Sequence, residues 1–342
     1  MITPGSDGHP CSIAIVTFAD DLHALVIQDR LRSMPDTQCV IIEVDRLSDH
    51  AHGLSWRAPV ERPRFTMPTR DGDRLDATSL DAIWFRRSNH PQRDLPPLAE
   101  VAHAEVVNRS CATTLLGGLL TSFAGAWVSR PEATSSAENK LVQLQAAQAA
   151  GFSIPRTLVS QDPQAIRTFC AELPGAAVIK TVRGTPHSQL FTVRVTQDHL
   201  ADDDALRICP TIFQEYVPGS RHLRVLCCGS RAYAVMIKTE RLDWRLDLDT
   251  PIMPVQLETN LERRLADVLE RLGLRMGVAD LKITPDGDPV WLELNPQGQF
   301  LFIEGLTGMD LTGPFCDFLR EEAANDQRRR RIRMGRSRSA QA

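Results

Sequence analysis

The sequence predicts an N-terminal α/β unit followed by α+β units, and three stretches carry that expectation. "IAIVTF" (13–18), "DDLHALVIQDRLRSM" (20–34) and "CVIIEV" (39–44) read as buried strand, helix and buried strand, the pattern of a parallel crossover. "LETNLERRLADVLERLGLRMG" places Leu257, Leu261, Leu265, Val268 and Leu272 on one helical face. "GVADLKIT", "PDGD" and "PVWLELN" read in turn as strand, turn and strand of a hairpin.

The remaining elements follow in chain order. "RPRFTMPTRDGDRLDATSLDAIWFRRSNHP" predicts a strand, an Asp-Gly turn and a second strand ending at Arg86-Arg87, and a helical region at about 97–123 closes the first domain. A new unit begins near Pro131. Ser135 and Glu138 have the spacing of a capping box for the next helix, which Gly151 ends. "IPRTLVS" is a strand, and "DPQAIRTFCAEL" a helix with Pro163 in its first turn. "AAVIKTV" (176–182) and "LFTVRV" (190–195) are strands, and the polar loop 183–189 between them is a candidate lid. "TIFQEYVPGSRHLRVLCCGSRAYAVMIKTE" predicts a strand, a crossing segment and two further strands.

Composition narrows the function classes. The chain has 342 residues, and none of its apolar runs is long enough to span a bilayer. No secretory signal pattern opens it, so a cytoplasmic protein without membrane partners is expected. Its eight cysteines include no C-x-x-C pair, which gives no redox or zinc motif. The net charge is −4, yet the last fifteen residues carry seven arginines, and without them the body stands at −11. An acidic body argues against nucleic acid as a partner. The Arg-rich end, 326–342, reads as a disordered tail. No G-x-G-x-x-G follows the first strand, so dinucleotide binding is not supported.

Chemistry concentrates in the hairpin. Asp280 lies in its first strand; Glu293 and Asn295 share one face of the second by the period of two. Two carboxylates and a carboxamide oxygen are hard donors suited to Mg²⁺. A solvated surface hairpin would carry the same residues. Lys140, in the first turn of its helix, and Lys180, ending "AAVIK", can act as point charges on phosphate oxygens or lie along the surface. The Pro-Gly break after "FQEYV" frees backbone groups able to read an adenine edge.

In order along the chain, Lys140, Lys180, "QEYVPG", "DWR", Asp280 and "LELNPQGQ" resemble the ATP-grasp ligases. "DAIWFRR", "AENKLVQLQAAQAAGFSIPRTLVSQDP" and "NPQGQFLFIEGLTG" extend the resemblance, over roughly 11–320, to the graspetide synthetases, the microviridin-type peptide ligases. The resemblance implies an ATP-grasp fold with a pre-ATP-grasp α/β domain at 1–130, a central lobe at 131–215 and a C-terminal lobe with the metal site at 216–325. It further implies that Lys140 and Lys180 contact the nucleotide phosphates, with Lys180 also near the base. Glu215 and Val217 would offer backbone groups to adenine, with Tyr216 between them. Arg245 would hold the phosphate in transfer, Arg224 would face the site, and Asp280, Glu293 and Asn295 would hold Mg²⁺. His222 stands where related ligases commonly place a ribose-binding acid; a neutral imidazole can still accept a hydrogen bond there, and a structural role fits it equally.

The activity so implied is ATP-dependent. A side-chain carboxylate of a ribosomal precursor peptide with an acidic core becomes an acyl phosphate, and a hydroxyl or amine of the same peptide closes an ester or amide ring. Two rivals share the nucleotide motifs: a RimK-like ligase joining an amino acid or small amine to a carboxylate, and a non-catalytic ATP-binding protein. The family resemblance also implies a homodimer.

Overall fold

The computed structural model describes residues 10–48, 51–58, 63–88, 90–93, 95, 101–184, 191–246 and 250–339, with backbone alone at 101, 246 and 329–339. The chain divides into two units: 1–131 together with 310–342, and 132–309.

In the first unit, β1 (Cys11–Thr17), α1 (Leu22–Arg32) and β2 (Thr37–Glu43) make the expected crossover. β3 (Ser55–Arg57), β4 (Arg64–Pro68) and β5 (Arg74–Asp76) form a small antiparallel sheet of their own. β6 (Ala82–Phe85) and β7 (Ala126–Val128), separated by α2 (Val101–Ser122), complete a parallel sheet of order β2-β1-β6-β7. The second strand expected after the Asp-Gly turn is thus two. The turn closes the β4–β5 hairpin, with Gly72 at φ +88, and "AIWF", fully buried, goes to the parallel sheet.

A buried ion pair holds the carboxyl end of that sheet. Asp21 caps α1 by accepting the His23 N–H, and its other oxygen accepts from Thr17 Oγ1 at 2.7 Å and Arg86 Nε at 2.5 Å. Burial alone would push the Asp21 carboxyl up, but the Arg86 charge and these hydrogen bonds hold it below the usual carboxylate range. Arg86→Met leaves Asp21 buried without its countercharge. The expected loss is about 3–5 kcal/mol of stability, read as a lower urea midpoint, with partial recovery when Asp21→Asn is added.

The second unit begins with α3 (Pro131–Ala137) and α4 (Lys140–Ala149). The expected single helix is broken here. Asn139, in extended backbone, caps α4 by accepting the Leu141 N–H at 2.9 Å, in place of the Ser135–Glu138 box. β8 (Thr157–Ser160), α5 (Pro163–Glu172), β9 (Ala177–Lys180), β10 (Val193–Arg194), α6 (Gln197–Ala201), α7 (Asp203–Arg207) and β11 (Thr211–Glu215) follow. Their strands form an antiparallel sheet of order β10-β9-β11-β8, cored by Ile166, Leu206 and Phe213. Residues 185–189 of the candidate lid lie outside the described residues.

β12 (Arg221–Cys228), β13 (Arg231–Lys238), β14 (Ile252–Val255), α8 (Thr259–Arg271), β15 (Met276–Ile283) and β16 (Pro289–Asn295) build a five-stranded antiparallel sheet, β14-β13-β12-β15-β16. One face packs on α4 and α8: Leu223, Val225, Ala279, Leu281, Trp291 and Leu294 join Leu144, Leu265, Val268 and Leu269 in one core. The register shifts between Asp280 and Leu281, where Leu281 pairs with Trp291 and Asp280 with Glu293. That bulge at Leu292 decides which side chains share a face. Strict alternation would put Trp291 beside Glu293; the extra residue turns Trp291 into the core and Glu293 out of it.

α9 (Leu301–Thr307) ends the second unit, and α10 (Thr312–Ser339) returns the chain to the first. α10 packs there by Phe315 against Trp84 and by Cys316, whose thiol donates to Ile27 O at 3.8 Å. Residues 310–325, expected in the C-terminal lobe, therefore belong with the N-terminal sheet. The backbone from 326 to Ser339 continues α10. Among the described residues no helix is long and apolar enough to cross a membrane.

Candidate nucleotide and metal site

The sheet face opposite the core carries the charged residues. Backbone register sets His222 against Lys282, Arg224 against Asp280, and Asp280 against Glu293 across β12, β15 and β16. Two carboxylates directly opposite one another repel, so this pairing requires cations, and four converge on it. Arg224 Nη1 donates to both Asp280 oxygens at 2.9 and 2.8 Å, and its Nη2 donates to Gln299 O at 3.0 Å. The Lys140 ammonium lies 3.5 Å from Glu293 Oε2. Lys180 and Arg245 act on Glu293 through their charges.

Burial and charge set the protonation of the acids. Burial would raise the Glu293 carboxyl, but Lys140, Lys180 and Arg245 hold it below the usual range, so it is ionised at neutral pH. Asp280 goes the other way: burial, reinforced by the Glu293 charge, pushes it up against the pull of Arg224. Their side chains keep 35% and 18% of their surface open to solvent, so an ion can reach both. Asn295, the third expected ligand, is exposed, and its Oδ1 accepts the Gln297 N–H at 3.0 Å. A carboxamide oxygen has a second lone pair for a cation. Gly298 lets this turn lie on the sheet, because a Cβ there would stand 2.5 Å from that of Val278. The donor set is hard oxygen throughout and fits Mg²⁺, which completes its shell with waters and phosphate oxygens. Among the described residues no three His, Cys, Asp or Glu side chains gather as a site complete in itself.

Lys180 reaches the same place from β9. Its ammonium donates to Gln214 Oε1 at 2.9 Å, and Gln214 Nε2 donates to Thr157 Oγ1 at 2.8 Å. Burial and the nearby Lys140 lower the Lys180 pKa, opposed by Glu293, Asp243 and Asp280. At the end of β11, the Glu215 N–H donates to Arg156 O at 2.9 Å and, just past it, the Tyr216 N–H donates to Ala176 O at 2.8 Å. The Tyr216 ring is covered by the Arg194 guanidinium, 4.4 Å from its centroid. Val217 follows, and then Gly219 at φ +115, where a Cβ would meet Ile283 O at 2.7 Å.

Arg245 is held by its own neighbour. Nε donates to Asp243 Oδ1 at 2.8 Å and Nη2 to Oδ2 at 2.5 Å, and the guanidinium lies 5.4 Å from the Phe191 ring centroid. Arg224 sits against the rings of Trp244 and Phe302, themselves stacked at 5.8 Å. His222 is buried. Its Nε2 accepts from the Lys282 ammonium at 2.7 Å, and burial together with that charge lowers the ring to about 4. It is a neutral partner of the sheet in this structure, with the acceptor atom expected for ribose already engaged.

The structure thus brings Lys140, Lys180, Arg224, Arg245, Asp280 and Glu293 to one place. Sequence reasoning missed Gln143, Gln214, Asp243 and Lys282. Gln214 and Asp243 stood inside quoted motifs, one and two residues from Glu215 and Arg245.

Two lobes of antiparallel sheet, with Lys180 from one and the acid pair, flanked by Lys140 of α4, from the other, define the class: the fold is that of the ATP-grasp ligases. Within it the chain aligns along nearly its whole length with the graspetide-type macrocyclases. The macrocyclase MdnC of Microcystis aeruginosa MRC, solved with its precursor peptide MdnA, superposes at TM-score 0.78 with 25% identity over 92% of this chain and 99% of that one. A RiPP-associated ATP-grasp ligase of Chryseobacterium gregarium, solved with ADP and a leader and core peptide, superposes at 0.80 with 21% identity over 92% and 97%. A RimK domain protein of Sphaerobacter thermophilus superposes less closely, at 0.54 with 19% identity. Among curated proteins, N5-carboxyaminoimidazole ribonucleotide synthase of Mycobacterium bovis is 29% identical over 171 residues. That match takes in 46% of this chain and spans 39% of the synthase's length. No family model matches the chain.

Proposed function

We propose that this protein is an ADP-forming ligase that closes side-chain ester or amide rings in a ribosomally made precursor peptide. The observation that carries the reading is the approach of Lys140 to Glu293, opposite Asp280, in a chain whose fold follows the peptide-bound macrocyclase MdnC and the peptide-bound RiPP-associated ligase over nine-tenths of its length. Asp280, Glu293 and Asn295 would hold Mg²⁺, which supplies charge neutralisation at the transferring phosphate. Lys140 and Lys180 hold phosphate oxygens, and the Glu215 carbonyl and Val217 N–H read adenine. Arg224 and Arg245 face the γ-phosphate.

A peptide carboxylate oxygen attacks the γ-phosphorus; the bond to the bridging oxygen breaks, and ADP leaves. A serine or threonine hydroxyl, or a lysine amine, then attacks the acyl carbon. The acyl C–O bond to the phosphate breaks, inorganic phosphate leaves with that oxygen and the electron pair, and the nucleophile loses its proton. The fixed charges of the site stabilise the developing charge without reorganising. An acidic core peptide suits four convergent cations, and a homodimer is the assembly proposed.

The test is ADP release with candidate acidic precursor peptides, followed by mass spectrometry. The expected product has lost one water for each ring closed. ATP turnover with free amino acids alone would replace this reading by the RimK-like one.

A further inference from the structure

β16 is the outer strand of its sheet, and among the described residues its open edge is met near its start by an isolated bridge, the Trp291 N–H donating to Ser153 O at 2.9 Å. Further along that edge a glutamine side chain takes the place of a strand. Gln143 is buried on α4, and its carboxamide meets the backbone of Leu294, the residue between Glu293 and Asn295. Gln143 Oε1 accepts the Leu294 N–H at 2.8 Å, and Nε2 donates to Leu294 O at 2.7 Å. The second Nε2 hydrogen goes to Ala137 O, at 2.6 Å, at the end of α3. One side chain thus supplies the donor and acceptor a neighbouring strand would have supplied, and uses both of its own N–H donors in doing so.

The position of Gln143 gives this contact a consequence. It lies one turn after Lys140 on α4, and three residues apart on a helix share a face. The same turn of helix therefore grips β16 at Leu294 and sets the Lys140 ammonium 3.5 Å from Glu293. We propose that Gln143 is a positioning residue, which fixes the spacing between a phosphate-binding lysine and the metal-binding strand. This rests on the nucleotide reading above. Neither charge nor volume can stand in for the carboxamide. A glutamate would set an oxygen against Leu294 O and Ala137 O; a methionine fills the space and offers no donor. Asparagine falls one methylene short.

The experiment is calorimetric titration of the full chain with ADP across a Mg²⁺ series, on proteins whose melting curves show them folded. Gln143→Met and Gln143→Glu should weaken Mg²⁺-dependent ADP binding at least tenfold, and Gln143→Asn serves if either fails to fold. The Leu294 amide should exchange faster with solvent in each variant. Gln145→Leu, exposed on the same helix, should bind as the wild type does. Because Gln143 acts through the Lys140–Glu293 spacing, adding Gln143→Met to Lys140→Met should cost less than the product of the two single losses. Wild-type affinity in the Gln143 variants, or losses that multiply, would overturn the positioning role alone. A wild-type chain without Mg²⁺-dependent ADP binding would overturn the nucleotide reading, and the positioning role with it.

Discussion

Glu293→Ala is expected to lower ADP release by at least about a thousandfold, about 4 kcal/mol of transition-state stabilisation. Two losses combine in that figure. The carboxylate is the strand's charged donor for Mg²⁺, and it is the countercharge shared by Lys140, Lys180 and Arg245. Without it three cations face one another with Asp280 alone among the acids of the hairpin. Asp280 is committed to Arg224 by two hydrogen bonds. Glu293→Gln separates the two effects, since it keeps an oxygen and the volume but removes the charge. Added Mg²⁺ should recover part of the glutamine variant's rate and none of the alanine variant's. The fold should survive either change, because the Glu293 side chain lies outside the Trp291–Leu294 core. Steady-state ADP release with a Mg²⁺ series, beside a thermal melt, checks this. Normal turnover in Glu293→Ala would remove Glu293 from the metal site.

How far the sequence reached follows from what each signal depends on. The βαβ start, the α8 stripe and the β15–β16 hairpin depend on local periodicity, and each formed where expected. The acid pair was legible because carboxylates in an apolar strand need a reason to be there. The Leu292 bulge was not, since it answers to the need to bury both Trp291 and Leu294, which lie an odd number of residues apart. β14 was missed because Pro254 interrupts "IMPV", a residue tolerated on an edge strand. α10 was not read either, because its anchors, Phe315 and Cys316, are buried against β-strand and helix partners hundreds of residues earlier in the chain. Gln143 resisted sequence reading for the same reason: its partner, Leu294, is 151 residues away.

Arg245 supports the second large effect, and its neighbour makes the outcome specific. Its guanidinium fork is spanned by both Asp243 oxygens, a planar match that an ammonium cannot reproduce. Arg245→Lys should therefore recover little of the activity lost in Arg245→Met, which is expected to fall by about a hundredfold or more. Burial would raise Asp243, but the hydrogen bonds and charge of Arg245, with the backbone N–H groups of Arg245 and Thr192, hold it below the usual range. Its depressed pKa means the clamp is intact above the ordinary carboxylate range and is lost only as pH falls through that lowered value. Asp243→Asn should thus cost kcat at neutral pH while leaving the acid limb of the rate profile where it was. The same carboxamide keeps one acceptor for the fork, so the loss should be smaller than in Arg245→Met. A pH–rate profile for Asp243→Asn and the two Arg245 variants measures all three. If Arg245→Lys matches the wild type, Arg245 contributes charge alone, and the Asp243 fork has no part in aiming it.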